Sequence, residues 1–462
     1  MRRLINRRRF LEKNFKGMGV FAAASSISKL ALGLGKTVKG EHWLDNNFPR
    51  YIDYNPDVPV WCVTPDIDRC ISRFHLSSPI SPSGRYVALT RLSREDRQPD
   101  PGEAADIVLV DLKQGITKII AQTRGWDSQM GAHAQWGATD EQLFFNDINT
   151  KTWIPYGVVM NPLTGEKRKL DWTVYDVSPD GKWAVSTCLR RISNTQGGYG
   201  VIIPEQYMPS NQGAVEDDGV YITNVQTSKT RMIASYRKIV QEAVPKIDVE
   251  RYGPGDFYGF HTKWNSKSDR IFLVLRYLPK KEPKYKPHLI TMKPDGSDIR
   301  MAIPATLWAD HGGNHPNWCP DGEHVMMNLD LSGRGWRFVQ ARYDGSDLRP
   351  MTDVPSNHGH PSLHPGGKYL LTDAYPGEDI AWEGDETAPL MIIDLKNNER
   401  RRIVRMQTYT RFFAGTGKNP KYVRVDLHPA WDSKTHTLVV FNGVADGTRR
   451  VFIADLSHIV GG

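Results

Sequence analysis

Five histidines in this chain share one local frame. They stand in His133-Ala134-Gln135-Trp136, His261-Thr262-Lys263-Trp264, His315-Pro316-Asn317-Trp318, His360-Pro361-Ser362-Leu363 and His428-Pro429-Ala430-Trp431. Each is followed three residues on by a large apolar residue, then by a polar turn and a strand-like run. Neutral imidazole ligates transition metals, and it moves protons near neutral pH. Imidazoles at equivalent places in a repeat therefore suit either a metal centre or acid–base catalysis. Histidines that only cap turns are the alternative, and His-x-x-Trp taken singly does not exclude it. Five at one tier argue further, because burying them together without a ligand leaves donors and acceptors unsatisfied.

His315, His360 and His428 belong to consecutive units, and three converging imidazoles suit a divalent metal. Zn²⁺ is the expected ion, with Mn²⁺ or Ca²⁺ as alternatives. Cys319, His364 and Asp432 lie four residues beyond them. Four residues of extended strand span about 13 Å, so the two sets share one ion only if a bulge intervenes. Cys319 is the competing soft ligand, or else ordinary core. Asp426, two residues before His428, falls on the same face and could join the site.

The remaining histidines, His133 and His261, flank an insertion that contains Arg190-Arg191 and Gly197-Gly198-Tyr199-Gly200. A Gly-rich segment over a channel mouth can bring an acid and a cation to a substrate. His133, Tyr199 and His261 are therefore the expected catalytic groups, with Arg190 on the substrate. The Gly-rich run also reads as a surface turn with a packed Tyr. It lacks the strand-to-helix context of a nucleotide-binding loop.

Something must hold these residues in register. Two further copies of the frame, Val174-Tyr175-Asp176-Val177-Ser178-Pro179-Asp180-Gly181 and Ser77-Ser78-Pro79-Ile80-Ser81-Pro82-Ser83-Gly84, keep the turn and lack the histidine. Runs such as Arg270–Leu275, Lys368–Asp373 and Thr437–Asn442 follow the motifs, and their alternation and β-branched content predict strands. Asp295-Gly296 and Asp344-Gly345 mark tight hairpins. The shorter intervals between copies match a four-stranded unit of about 40–50 residues. The longer ones imply insertions, chiefly at 190–257 and 374–422. The expected fold is all-β: a seven-bladed β-propeller of four-stranded blades over residues 37–462. A strand from residues 58–63 would complete the last blade and close the ring, removing exposed sheet edges.

The net charge of +8 is carried by residues 1–36, which hold nine Lys/Arg against Glu12 alone. The remainder is neutral, so the basic balance gives no support for nucleic-acid binding. Asn6-Arg7-Arg8-Arg9-Phe10-Leu11 resembles a twin-arginine export motif, and the weakly apolar stretch after it is too short to span a membrane. Residues 1–36 are thus expected to be an export signal, and the protein to be periplasmic or secreted, without a membrane span. Four cysteines are too few for a disulfide framework, although Cys62 and Cys70 could pair after export.

With these motifs in place, the chain resembles the seven-bladed propeller polysaccharide lyases, the oligogalacturonate lyases and, in overall plan, the ulvan lyases. In the oligogalacturonate lyases a histidine opening the fourth blade acts as base, which matches His261. A metal-binding histidine three residues before a Trp and a Pro-Asp-Gly turn matches His315. The family's His-x-His-Pro pair reads here Asp426-Leu427-His428-Pro429, and its upstream glutamine ligand is not evident. Ulvan lyases are similar in using a histidine and a tyrosine from the first half of the ring, places that His133 and Tyr199 could fill. The resemblance implies β-elimination. A base removes the C5 proton of a uronate, an acid protonates the C4 leaving oxygen, and Arg190 or a metal neutralises the carboxylate. The expected protein is an exported, monomeric lyase of an acidic polysaccharide, with an ulvan-like glycan favoured over oligogalacturonate. A non-catalytic periplasmic propeller that binds a protein or glycan is the main alternative, and a metal-dependent hydrolase or lactonase a third.

Overall fold

The computed structural model describes residues 42–75, 77–282, 284–380, 385–414 and 423–461. The export-type segment 1–36 lies outside them.

Strands dominate, and they pair in chain order. The first sheet is built from Cys70–Ile71, Tyr86–Arg91, Ala105–Asp111 and Ile116–Thr123, all antiparallel. Four more four-stranded sheets follow, opening at Gln135–Trp136, Asp176–Val177, Gly255–Trp264 and Gly313–Trp318. The last sheet has eight strands. Its two halves open at Ser362–Leu363 and Ala430–Trp431 and meet only at the pair Gln407–Val444. Val60–Cys62 lies antiparallel to Thr448–Asp455, with Val60 opposite Ala454 and Cys62 opposite Phe452.

Middle strands such as Ile271–Pro279 are buried on both faces, since apolar clusters fill the space between successive sheets. Outermost strands such as Lys167–Lys169 are exposed. Three tryptophans of the repeated frame tie one unit to the unit before it. The indole nitrogens of Trp136, Trp318 and Trp431 donate to the carbonyls of Pro79, Lys263 and Ser362 at 2.9, 3.0 and 3.1 Å. At the Asp-Gly hairpin, Gly296 has φ +80° and an added Cβ would sit 1.9 Å from the carbonyl oxygen of Ile233, so only glycine fits.

Two expectations change here. Cys62, Cys70, Cys188 and Cys319 are all free and buried, so Cys62 and Cys70 do not pair. The 190–257 segment is not one insertion. It contains two strands of the third sheet, Gly219–Asn224 and Thr230–Ser235, and the helix Tyr236–Glu242. No described helix is long and apolar enough to cross a membrane.

Asp45 anchors the segment that leads into Val60–Cys62. Its carboxylate accepts from Arg50 at 2.5 and 2.7 Å and from Trp61 Nε1 at 2.9 Å. The Arg50 hydrogen bond outweighs burial and holds the carboxyl at about 2. Asp45→Ala should lower unfolding stability by about 1–3 kcal/mol at neutral pH, because the buried Trp61 N–H loses its acceptor. The depressed pKa gives stability that is complete above the ordinary value of 3.8 and lost as pH falls through about 2. Urea unfolding at several pH values should therefore show the two proteins converging below pH 3.8.

Candidate active site

Backbone irregularities turn the motif histidines inward. In the strand Gly255–Trp264 the register slips between Gly259 and Thr262, at His261. In Gly313–Trp318 it slips between Asn314 and Asn317, at His315. An unpaired residue at such a bulge leaves the plane of the sheet and re-aims its side chain. His133, His315 and His428 all have positive φ, at 58°, 55° and 48°, a conformation uncommon for residues other than glycine.

These rings gather around Phe74. Its ring lies 4.5 Å from His428, 5.3 Å from His261 and His360, and 5.8 Å from His315, between ring centres. Phe74 and His75 belong to an excursion of the first sheet's inner strand, which pairs at Cys70–Ile71 and again only at Ile80. A fifth imidazole, His75, thus joins His315 and His360 at 5.8 and 5.2 Å.

On one side of Phe74 the ligand atoms of His360, Asp426 and His428 lie within 4.8 Å of one another. His315 stacks on His360 with ring centres 3.9 Å apart but falls outside that group. Asp373 lies 2.9 and 3.0 Å from His360 Nδ1 and accepts the His428 backbone N–H at 3.2 Å. His315 Nδ1 lies 2.9 Å from the carbonyl oxygen of Gly359, which can only accept. His315 is thus held with its Nδ1 protonated and its Nε2 lone pair open, and the Asp373 carboxylate orients His360 in the same way. Both nitrogens of buried His428 lack a hydrogen-bond partner. Burial pushes His360 down to about 3 and His315 and His428 well below 6.5, so all three rings are neutral. Burial opposes ionisation of Asp426, but Arg424, His428 and His360 outweigh it and hold the carboxyl far below its ordinary range. Neutral imidazoles, one anionic oxygen and an orphaned histidine fit a divalent cation.

The placements of Cys319, His364 and Asp432 decide the alternative tier. Cys319 packs with Met326 and Phe338 in an apolar cluster. His364 Nε2 lies 3.1 Å from the carbonyl oxygen of His436, and Asp432 accepts from the backbone of its own turn. None of the three belongs to the His360–Asp426–His428 group.

Across Phe74 stands His261. Its Nδ1 is hydrogen-bonded to the Tyr175 hydroxyl, which also reaches Met130 Sδ at 3.5 Å. A hydroxyl has one hydrogen. Given to the sulfur, it leaves the Tyr175 oxygen to accept from His261 Nδ1–H and frees His261 Nε2 as a base. Burial pushes His261 well below 6.5 and Tyr175 well above 10.0, so both are neutral. Tyr199 meets His261 edge-on at 6.1 Å. Its loop is tied down by Asp127, whose carboxylate accepts from Gly200 N at 2.9 Å and lies 3.4 Å from His133 Nε2. Gly200 has φ +85°, and a Cβ there would sit 2.3 Å from the carbonyl oxygen of Leu189.

A cavity of about 500 Å³ opens between the two sides, lined among others by Tyr199, His261, Arg276, His315, Tyr375 and Asp426. That volume suits a small ligand. His133 and Arg190 are not among its lining residues. His133 is buried against Asp127 and Tyr175. Three cationic side chains line the cavity instead, Lys284, Arg424 and Arg276, and Arg276 is sandwiched between the rings of Phe260 and Tyr285 at 3.3 and 3.8 Å. Its Nη atoms donate to Thr195 Oγ1 and Gln196 Oε1 at 3.0 and 2.7 Å. Among the described residues no carboxylate pairs with it, and burial lowers it to about 10. A buried guanidinium without a counter-charge beside a cavity is suited to hold an anion.

Sequence reasoning did not reach Phe74, His75, Tyr175 or Arg276. One signal was present: His75 stands nine residues before Gly84, against seven in His315–Gly322 and His360–Gly367. The two extra residues conceal its equivalence. Tyr175 follows the place that Val174 occupies in the frame, so a one-residue offset hid it. Nothing local marks Arg276, on a middle strand, as facing a cavity.

No family model matches the sequence, and no curated protein matches it. Solved structures do. An oligogalacturonate lyase in complex with manganese superposes with a TM-score of 0.58 at 15% identity, covering 88% of this chain and 96% of its own. The oligogalacturonate lyase of Vibrio parahaemolyticus superposes with a TM-score of 0.59 at 14% identity, over the same shares. The chain therefore has the β-propeller fold of these lyase structures.

Proposed function

We propose that this protein is a polysaccharide lyase that cleaves a uronate-containing glycan by β-elimination. The observation that carries the reading is one cavity lined by a neutral imidazole, a tyrosine hydroxyl and an unpaired guanidinium, His261, Tyr199 and Arg276. Arg276 holds the uronate carboxylate and stabilises the charge that develops as C5 loses its proton. His261 Nε2 takes that proton, and Tyr175 positions the ring. The C4–O bond breaks as the C4–C5 double bond forms, and Tyr199 protonates the departing oxygen. Burial raises Tyr199 above 10.0, which suits a hydroxyl that gives a proton rather than one that takes it. His133 acts through Asp127, holding the Tyr199 loop. A divalent cation would be held by His360, Asp426 and His428, and when bound it supplies further neutralisation of the carboxylate. The imidazole–carboxylate donor set favours Zn²⁺ or Mn²⁺ over Ca²⁺.

We read the eight-stranded sheet as two blades, which makes seven, with Val60–Cys62 closing the ring. Oligogalacturonate and ulvan both carry the required C5 proton and C4 leaving group. The fold likeness supports the first, and Tyr199 at the cavity supports an ulvan-like glycan, whereas His133 lies outside the cavity. The arginine-rich segment 1–36 supports export, which cell fractionation tests.

The experiment is incubation of the metal-supplied protein with oligogalacturonate, ulvan, alginate and glucuronan, followed by ultraviolet absorbance of the conjugated unsaturated product. No product from any of them overturns the lyase reading, and glycan binding without turnover favours a binding propeller. Because burial lowers His261 well below 6.5, its base form persists under mildly acidic conditions. The acid limb of kcat/KM should therefore fall below pH 6.5, which a pH–rate profile measures.

A further inference from the structure

A second cavity, of about 520 Å³, lies further along the same inner strands. His261 and His315 line the first cavity, whereas Lys263 and Trp264, and Asn317 and Trp318, line the second. Phe74 lines the first and its neighbour His75 the second, so the segment that carries them lies between.

Two carboxylates stand at this second cavity, Asp176 and Asp432, and neither pairs directly with its lysine, Lys263. Arg73 is paired with Asp176 at 3.3 Å, and both are buried. The other Asp176 oxygen accepts the Trp264 backbone N–H at 3.0 Å. Lys263 Nζ donates to the neutral Asn317 Oδ1 at 3.0 Å, and among the described residues no carboxylate pairs with it. His75 is 2% exposed, and neither of its ring nitrogens has a hydrogen-bond partner. An ammonium met at hydrogen-bond distance by a neutral amide oxygen, and an imidazole with both nitrogens unsatisfied, are costly beside one cavity unless a ligand answers them. The cavity is larger than a bare anion requires, and the Trp264 and Trp318 indoles supply apolar wall.

We propose that this cavity is a second ligand site, which takes a single carboxylate borne on a sugar-sized ring, with the carboxylate on Lys263 and His75. The ligand class is a free acidic monosaccharide, or the uronate end of a short chain. Burial lowers the Lys263 ammonium to about 8, so part of the amine is unprotonated near neutral pH and open to acylation.

That reactivity provides the test. The whole protein is trace-acetylated, and modification of Lys263 is read by peptide mass spectrometry in the presence of galacturonate, its methyl ester, galactose, acetate or digalacturonate. Galacturonate should slow acetylation of Lys263 about tenfold once it stands roughly tenfold above its Kd. Galactose and the methyl ester should not. Protection by digalacturonate identifies the chain end as an acceptable source, and its failure restricts the site to the monosaccharide. Protection should persist in Arg276→Gln, whose lesion lies in the first cavity. Equal protection by galactose or the methyl ester overturns the carboxylate, and equal protection by acetate overturns the ring. Loss of protection in Arg276→Gln, or no protection by any acid, overturns the site. The readout needs no turnover, so it stands or falls apart from the lyase reading.

Discussion

His261→Ala should lower kcat for β-elimination by about 10²–10⁴-fold, the range for loss of a positioned general base. KM should change little, because Arg276 rather than His261 holds the carboxylate in the ground state. The size of the effect follows from the surroundings of His261. Its ring is buried, neutral and fixed through Nδ1 by the Tyr175 hydroxyl. Tyr175→Phe removes that fixing partner and leaves the ring in place. It should cost about 10–100-fold in kcat, the range for partners that orient an imidazole. It should also move the acid limb of the pH–rate profile, a shift that loss of packing alone does not produce. Steady-state kinetics on whichever glycan is cleaved measures both variants, with near-ultraviolet circular dichroism checking the fold. Full activity in His261→Ala would remove it from the chemistry and turn the search for the base to the other titratable groups lining the cavity, Tyr199 and Tyr375 among them.

The second large effect is on metal binding. Adding Zn²⁺ or Mn²⁺ to chelator-treated protein should raise unfolding stability by about 2.7 kcal/mol when free metal stands 100-fold above its Kd. Asp426→Asn combined with His428→Gln should abolish that gain, because two of the three groups within 4.8 Å of one another are lost. The variant without metal should be weaker than the parent without metal, because Arg424 loses its carboxylate partner at 2.9 Å, so the gain on adding metal rather than the baseline is the comparison that counts. Urea unfolding with and without metal reads both comparisons, and elemental analysis of the folded variant gives metal content independently. A His364→Gln control should keep the full gain, because His364 is bonded at a turn instead. Equal stabilisation of parent and double variant would place the ion elsewhere.

The strand pattern was legible because each unit repeats a local pattern. The predicted runs at Arg270–Leu275, Lys368–Asp373 and Thr437–Asn442 correspond to strands at Ile271–Pro279, Tyr369–Asp373 and Leu438–Ala445. Apolar alternation and turn chemistry act over a few residues, so they are written in adjacent letters. The motif histidines were legible for the same reason, and His261, His315, His360 and His428 do share one neighbourhood around Phe74. The strand excursion that carries Phe74 and His75 was not, because it breaks the spacing that made the other copies visible. Arg190 and Arg276 show the same limit: nothing in their neighbouring letters ranks one arginine above the other, and only the path of the backbone decides which one lines the cavity.

By itself, the sequence determined an all-β repeat, the strands and turns of its units, and a set of histidines at one tier. Those are consequences of local periodicity and of residue types suited to tight turns. Only the tertiary structure decided which atoms face one another. Bulges at His261 and His315 re-aim their side chains, Asp426 joins His360 and His428, and Tyr175 reaches His261 across sheets. Such meetings depend on register slips of one or two residues and on contacts between distant segments, and neither leaves a periodic trace in the chain.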